Sequence, residues 1–177
     1  MQNDPARRAF LGGAVALASL GAVGLIAARR FDLRARLFNP LTIEKFALDP
    51  VPGLARPGIS SADFASRPAM VVLFASWCPP CREEHGRIGD LARRANLPVY
   101  GALYRDNPQA ARDFLREKGD PFVAIGDDPR GFFARAAGAR GVPATLVLAP
   151  GPRLILRIDG TLSEQDVDER IKPALRA

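Results

Sequence analysis

Apolar and polar residues follow two different periods along this chain. Met70 to Ala75 (MVVLFA) is an unbroken apolar run, the pattern of a strand buried on both faces of a sheet. Just behind it, Cys81, Glu84, His85, Ile88, Leu91, Ala92 and Ala95 recur at steps of three and four and predict an amphipathic helix. Leu97 to Tyr104 is a second strand candidate. Asn107-Pro108 then caps a helix whose Ala111, Phe114 and Leu115 share a face and which ends at Gly119. Phe122 to Ile125 is expected as a short strand and Arg130 to Ala137 as a short helix carrying Phe132 and Phe133. Thr145 to Ala149 and Leu154 to Ile158 flank Pro150-Gly151-Pro152 as a hairpin, and Ser163 with Asp166 has the form of a capping box for a last helix. Leu41 to Leu48 fits an edge strand, and the proline-bearing stretch Asp49 to Ser61 a surface loop. The succession predicts an α/β domain over residues 37 to 177, a mixed sheet with helices on both faces.

Residues 10 to 28 break this pattern. They run nineteen positions without a charge, roughly 28 Å as a helix at about 1.5 Å per residue, enough to cross a bilayer core. With no convincing small-x-small cleavage site before Arg29-Arg30, residues 1 to 36 are expected to be an uncleaved signal anchor rather than a removed signal peptide. Flanking charge alone would keep the carboxyl side in the cytoplasm, since four arginines follow the span and two precede it. Against that, Arg7-Arg8-Ala9-Phe10-Leu11 resembles a twin-arginine export signal, which implies a domain carried across to the periplasm.

Charge changes the picture mainly by its location. The net charge is +6, of which residues 1 to 36 supply +4 through six arginines against Asp4 and Asp32. The remainder is nearly neutral and carries no basic stripe interleaved with aromatics, so nucleic acid is not an expected partner.

The candidate chemistry sits at the junction of the first strong strand and its helix. Trp77-Cys78-Pro79-Pro80-Cys81 holds the two cysteines of the chain three positions apart. A thiol at Cys78, at or near the helix N-cap, faces unpaired backbone N–H groups and the positive end of the helix dipole, which favour thiolate over thiol. In such settings a cysteine ionises between about 3.5 and 7.5 rather than near 8.5. Cys81, one turn further in, is placed to attack a mixed disulfide on Cys78 and release the substrate reduced. Pro79 and Pro80 suit the first helical turn, where a missing N–H costs little. Zinc would need four ligands, and Cys78, Cys81 and His85 leave the set incomplete. A haem attachment motif would need histidine where Arg82 stands. A purely structural disulfide is the remaining alternative, though so small a ring removes little chain entropy. The redox reading needs neither metal nor cofactor.

WCPPC, the downstream Gly141-Val142-Pro143-Ala144-Thr145 and the hairpin after it resemble thioredoxin-fold proteins over roughly residues 41 to 177. The resemblance implies that Pro143 is cis and lies beside the active-site sulfurs, leaving the Val142 backbone open to pair with an extended substrate. A narrower resemblance is to the membrane-anchored thiol:disulfide interchange proteins of cytochrome c maturation, the DsbE or CcmG type. Cys81-Arg82-Glu83-Glu84-His85, Tyr104-Arg105-Asp106-Asn107, the stretch Asp113 to Phe122 and Ile171-Lys172-Pro173 carry it. It implies a periplasmic reductant of the Cys-x-x-Cys-His disulfide of apocytochrome c, re-reduced by a membrane thiol donor and held at the inner membrane. Two departures stand out. Arg140-Gly141-Val142-Pro143-Ala144 replaces the family's Tyr-Gly-x-Pro-Glu, and Ala136-Ala137 stands where an acidic residue is usual near the end of the Gly126 to Gly138 insertion.

Thioredoxins carry a buried aspartate six residues before the first cysteine, and here that place is Val72. Glu84, matching the family glutamate, is therefore the expected proton acceptor for Cys81, with a first-turn carboxylate favoured by the dipole as its plainer account. Glu83 is expected in solvent and His85 as a packing residue of the helix face. Trp77 is expected both as a substrate platform and as a cover for the redox helix. Tyr104, Arg105 and Asp106 follow the second strand at the sheet edge of the cysteines, where open α/β sheets place their sites. Three functions stay open at this point: a cytochrome c maturation reductase, a general periplasmic disulfide reductase or oxidant, and a thioredoxin-fold binding module with an inert disulfide.

Overall fold

The computed structural model describes Ile43 and residues 45 to 177, and all of these fall in the compact unit Pro40–Ala177. The expected span at residues 10 to 28 and the signal anchor lie outside the described residues, as do Leu41, Thr42 and Glu44 of the expected Leu41 to Leu48 edge strand, whose described part is strand only at Ala47–Leu48. Among the described residues, no helix is long and apolar enough to cross a membrane.

The elements are β1 (Ala47–Leu48), β2 (Ile59–Ser60), a 3-10 turn (Ser61–Phe64), β3 (Ala69–Phe74), α1 (Pro79–Ala95), β4 (Val99–Tyr104), α2 (Pro108–Lys118), β5 (Ile125–Asp128), α3 (Phe132–Ala136), β6 (Ala144–Ala149) and β7 (Arg153–Asp159). A last helical segment follows as α4 (Glu164–Asp166), a π-helical turn (Val167–Ile171) and α5 (Lys172–Ala174). The widening precedes Pro173, which has no N–H to offer the carbonyl four residues back; Lys172 N–H bonds instead to Val167 O.

Five strands form one sheet in the order β5-β4-β3-β6-β7. β3 and β4 run parallel, as do β4 and β5, whereas β6 is antiparallel to both β3 and β7. All six residues of β3 are buried, as its apolar run requires of a central strand. Met70, Val72 and Phe74 face α1, α2 and the C-terminal segment, through Ile88, Leu91, Phe114, Val167 and Ile171. Ala69, Val71 and Leu73 face the opposite side, with Phe64, Phe133 and Ala137. Helices thus cover both faces, as the pattern predicts.

Two expectations are corrected. The strand placed at Phe122 to Ile125 begins only at Ile125 and runs to Asp128, pairing with Gly101 to Tyr104. Phe122 is buried in the loop before it, stacked on Phe74 with ring centroids 5.0 Å apart. Nor is Asp49 to Ser61 simply a surface loop. It contains β2, paired with β1, and its backbone is bound to β5 through Asp127 N–H to Asp49 O and Ile125 N–H to Pro57 O. This packing is close enough that a methyl group on Gly126 would collide with Leu48 and Ile59.

Candidate active site

Cys78 is the N-cap of α1, with extended backbone at φ −90°, and Pro79 and Pro80 open the helix. The two cysteines are disulfide-bonded, with Cα atoms 5.3 Å apart. Cys78 Sγ accepts a hydrogen bond from the Cys81 N–H at 3.3 Å. In the reduced protein that donor and the helix dipole would stabilise a thiolate at Cys78, the physical basis of an acidic thiol. Both residues are nearly closed off, Cys78 at 2% exposure and Cys81 at 1%.

The Val142-Pro143 peptide is cis. Ala144, the first residue of β6, stands opposite Leu73, so the two residues before it flank the stretch from Phe74 toward Cys78. Val142 is half-buried against the core cluster that contains both cysteines. Pro143 O accepts from Gly160 N–H at 2.9 Å, while Val142 forms no backbone hydrogen bond among the described residues, leaving an edge that an extended chain can join. Ala144 is fully buried, so no acidic group lies at that position.

Glu84 is 2% exposed, and its Oε2 accepts from the Leu162 N–H at 2.7 Å. Burial pushes the carboxyl up from the usual 4.5 to about 7, against the opposing pull of the Leu162 hydrogen bond and the Arg87 charge. It is thus a carboxyl able to give or take a proton near neutrality, one turn from Cys81. Val72, where thioredoxins have aspartate, is buried in the same core cluster as the cysteines and offers no alternative.

His85 packs as expected. It meets Phe114 edge-on with centroids 4.5 Å apart, also contacts Phe74 and Phe122, and its Nε2 donates to the Gly119 carbonyl at 2.9 Å. Burial chiefly lowers its pKa from the usual 6.5, favouring the neutral ring. Glu83 is exposed. Trp77 is 55% exposed and its indole N–H donates to Arg105 O at 3.2 Å. It lies open at the rim, which suits a platform and leaves the rest of its surface turned toward the protein. Asp106 is not the cap of α2. Asn107 fills that role through Gln109 and Ala110 N–H, whereas the Asp106 carboxylate reaches back to Ser76. Ser76 and Leu162, which both touch the site, carry no periodic or motif signal that the sequence could offer. Among the described residues, no group of three or more His, Cys, Asp or Glu side chains is placed to hold a metal ion.

The fold is shared with MTB dsbF, solved in mixed oxidised and reduced forms, at a TM-score of 0.63 and 19% identity over 75% of this chain and 97% of that one. It is also shared with a secreted Mycobacterium tuberculosis disulfide oxidoreductase homologous to E. coli DsbE, at a TM-score of 0.59 and 17% identity over 72% of this chain and 95% of that one. In sequence, the thiol:disulfide interchange protein DsbE homolog of Paracoccus denitrificans is 39% identical over 122 residues, 69% of this chain and 62% of that protein. The thiol:disulfide interchange protein HelX of Rhodobacter capsulatus is 36% identical over 106 residues, 60% of each chain. The chain therefore spans about three fifths of the length of these two relatives. The thiol:disulfide interchange protein CycY of Rhizobium leguminosarum bv. viciae is 31% identical over 140 residues, 77% of this chain and 75% of that protein. The Redoxin family profile matches residues 57–169, from the hairpin before β3 into the C-terminal segment. With the cysteine pair, the cis-proline and the buried glutamate all inside that range, the chain belongs to the redoxin family.

Proposed function

We propose that the protein is a thiol:disulfide oxidoreductase that reduces protein disulfides, and that its substrate is the Cys-x-x-Cys-His disulfide of apocytochrome c before haem attachment. The observation that carries the chemistry is the Cys78–Cys81 disulfide at the N-terminus of α1, with Cys78 Sγ accepting the Cys81 N–H. In the dithiol form, the Cys78 thiolate attacks one sulfur of the substrate disulfide; a mixed disulfide forms and the substrate's other sulfur leaves as thiolate. Cys81 loses its proton to Glu84 and attacks Cys78 Sγ, expelling the first substrate sulfur as thiolate and restoring the disulfide. Two electrons pass to the substrate, and a membrane thiol donor returns them by the reverse exchange. Val142 and Pro143 align the substrate backbone, and Trp77 supports it.

The cytochrome reading is supported by the family-like stretches around Glu84, Tyr104 and Asp113 to Phe122, and the exchange chemistry by relatives whose names call them thiol:disulfide interchange proteins. It places the domain in the periplasm, held at the inner membrane by the apolar segment of residues 10 to 28. Deleting the protein should abolish c-type cytochromes, and an added thiol reductant should restore them; unchanged cytochrome levels would reject the substrate. A Cys81→Ser chain should hold that substrate on Cys78 as a mixed disulfide identifiable by mass spectrometry. Ala144, buried where the family has glutamate, favours a second reading, a disulfide reductase or oxidant of broader range. Traps that contain many unrelated periplasmic proteins would favour it.

A further inference from the structure

Cys78 is presented by Ala75-Ser76-Trp77, a connection between the end of β3 and the start of α1. Its base is closed by Cys78 N–H donating to Ala75 O at 3.2 Å. Sideways restraint comes from the chain just past β4. Ser76 N–H donates to Asp106 Oδ2 at 2.5 Å and the Ser76 hydroxyl to Oδ1 at 3.0 Å, so one carboxylate takes both donors of a residue thirty positions earlier. Next to it, Arg105 O accepts the Trp77 indole N–H. Arg105 has φ 48°, in the left-handed region that costs a residue with Cβ about 1 kcal/mol or more. Such a bend is kept where the surroundings enforce it, and here they do: Arg105 N–H is fixed to Asp128 O at 3.1 Å, and Asp106 Oδ1 also accepts the Asn107 N–H at 2.7 Å. Two adjacent residues thereby hold two adjacent residues of the redox loop, one by a carbonyl and one by a carboxylate.

We propose that Asp106 is a positioning residue for thiol-disulfide exchange: by clamping Ser76 it keeps the Cys78 sulfur seated on the first turn of α1. The role rests on the exchange chemistry proposed above. Without the clamp the loop can swing and take Cys78 Sγ off the Cys81 N–H, losing the stabilisation that makes it a good nucleophile. Charge works in the opposite direction. Asp106 lies in an acidic neighbourhood with Asp49, Asp127 and Asp128, and burial first, then these neighbours, raise the Asp127 carboxyl. A negative charge beside the loop opposes a thiolate, so geometry and charge predict opposite signs.

The test uses the full chain, reduced and in detergent, with two readouts: the pH profile of Cys78 alkylation by iodoacetamide, and the rate of reduction of a model disulfide. Asp106→Asn keeps an oxygen for the Ser76 N–H and offers an amide N–H to its hydroxyl, losing only the acceptor for the Asn107 N–H, so exchange stays within threefold of wild type and the alkylation profile stays put or moves to lower pH. Asp106→Ala loses tenfold or more in rate, and its profile moves up by about one pH unit toward an ordinary cysteine. Ser76→Ala, which loses only the hydroxyl bond, slows about fivefold. An alanine variant with the wild-type profile and rate, whatever its melting temperature, overturns the proposal, as does an asparagine variant as slow as alanine. Should Asp106→Ala not fold, Ser76→Ala decides: slower than Asp106→Asn upholds the clamp, equal rates overturn it. Because alkylation needs no disulfide substrate, a wild-type protein that reduces nothing would reject the exchange function and still leave the clamp testable.

Discussion

Replacing Glu84 by Gln should change how stability depends on pH, in a direction the site's geometry dictates. The carboxyl ionises near 4.5 in an unfolded chain and near about 7 in the folded protein, chiefly because it is buried. Between those values the folded protein holds a proton that the unfolded chain has released. The contribution of Glu84 is therefore fully present below pH 4.5 and is lost as pH rises through about 7. At about 1.4 kcal/mol per pH unit the loss amounts to about 3 kcal/mol. Gln cannot ionise, and its carbonyl oxygen can still accept the Leu162 N–H. The assay is urea unfolding of the oxidised proteins from pH 4 to 8, where the disulfide removes both thiols from the titration. The two proteins should match near pH 4.5, and Glu84→Gln should become the more stable by up to about 3 kcal/mol at pH 8. Parallel stability curves across that range would refute the reasoning, because Glu84 would then ionise alike in both states.

His85→Ala removes a ring seated among Phe74, Phe114 and Phe122 together with its bond to Gly119; unfolding should cost about 2 to 4 kcal/mol less, with the disulfide reduction rate within threefold of wild type. A rate that falls tenfold at intact folding would make the histidine part of the chemistry. Gly126→Ala drives a methyl group into Leu48 and Ile59 and should destabilise by about 1 to 3 kcal/mol in chemical denaturation, as overpacking does. No loss there would mean that β1 and β2 are not held against β5 as described.

Elements governed by local chemistry were legible. The apolar face of α1, its start at Cys78, and the bounds of α2 at Asn107 and Gly119 depend on period and capping, which a short window contains. β5 was misplaced because its second half is Gly126-Asp127-Asp128. Those aspartates read as turn formers, yet Asp128 is buried, its carboxylate accepting Phe133 and Ala134 N–H at the start of α3. β2 was hidden in a proline-rich stretch held by backbone bonds to β5, and such bonds leave no side-chain pattern. At the site, the cysteines, Pro143 and Glu84 could be named from spacing and resemblance. The Leu162 N–H that meets Glu84 comes from 78 residues away and the carboxylate that meets Ser76 from 30. Contacts at that range arise only once the sheet order is set.

With 2% of Cys78 and 1% of Cys81 open to solvent, the oxidised pair shows almost none of itself at the surface. Oxidised, the motif keeps both sulfur-bearing residues inside the fold and leaves Trp77, Pro79 and Pro80 as the parts that a visitor meets first.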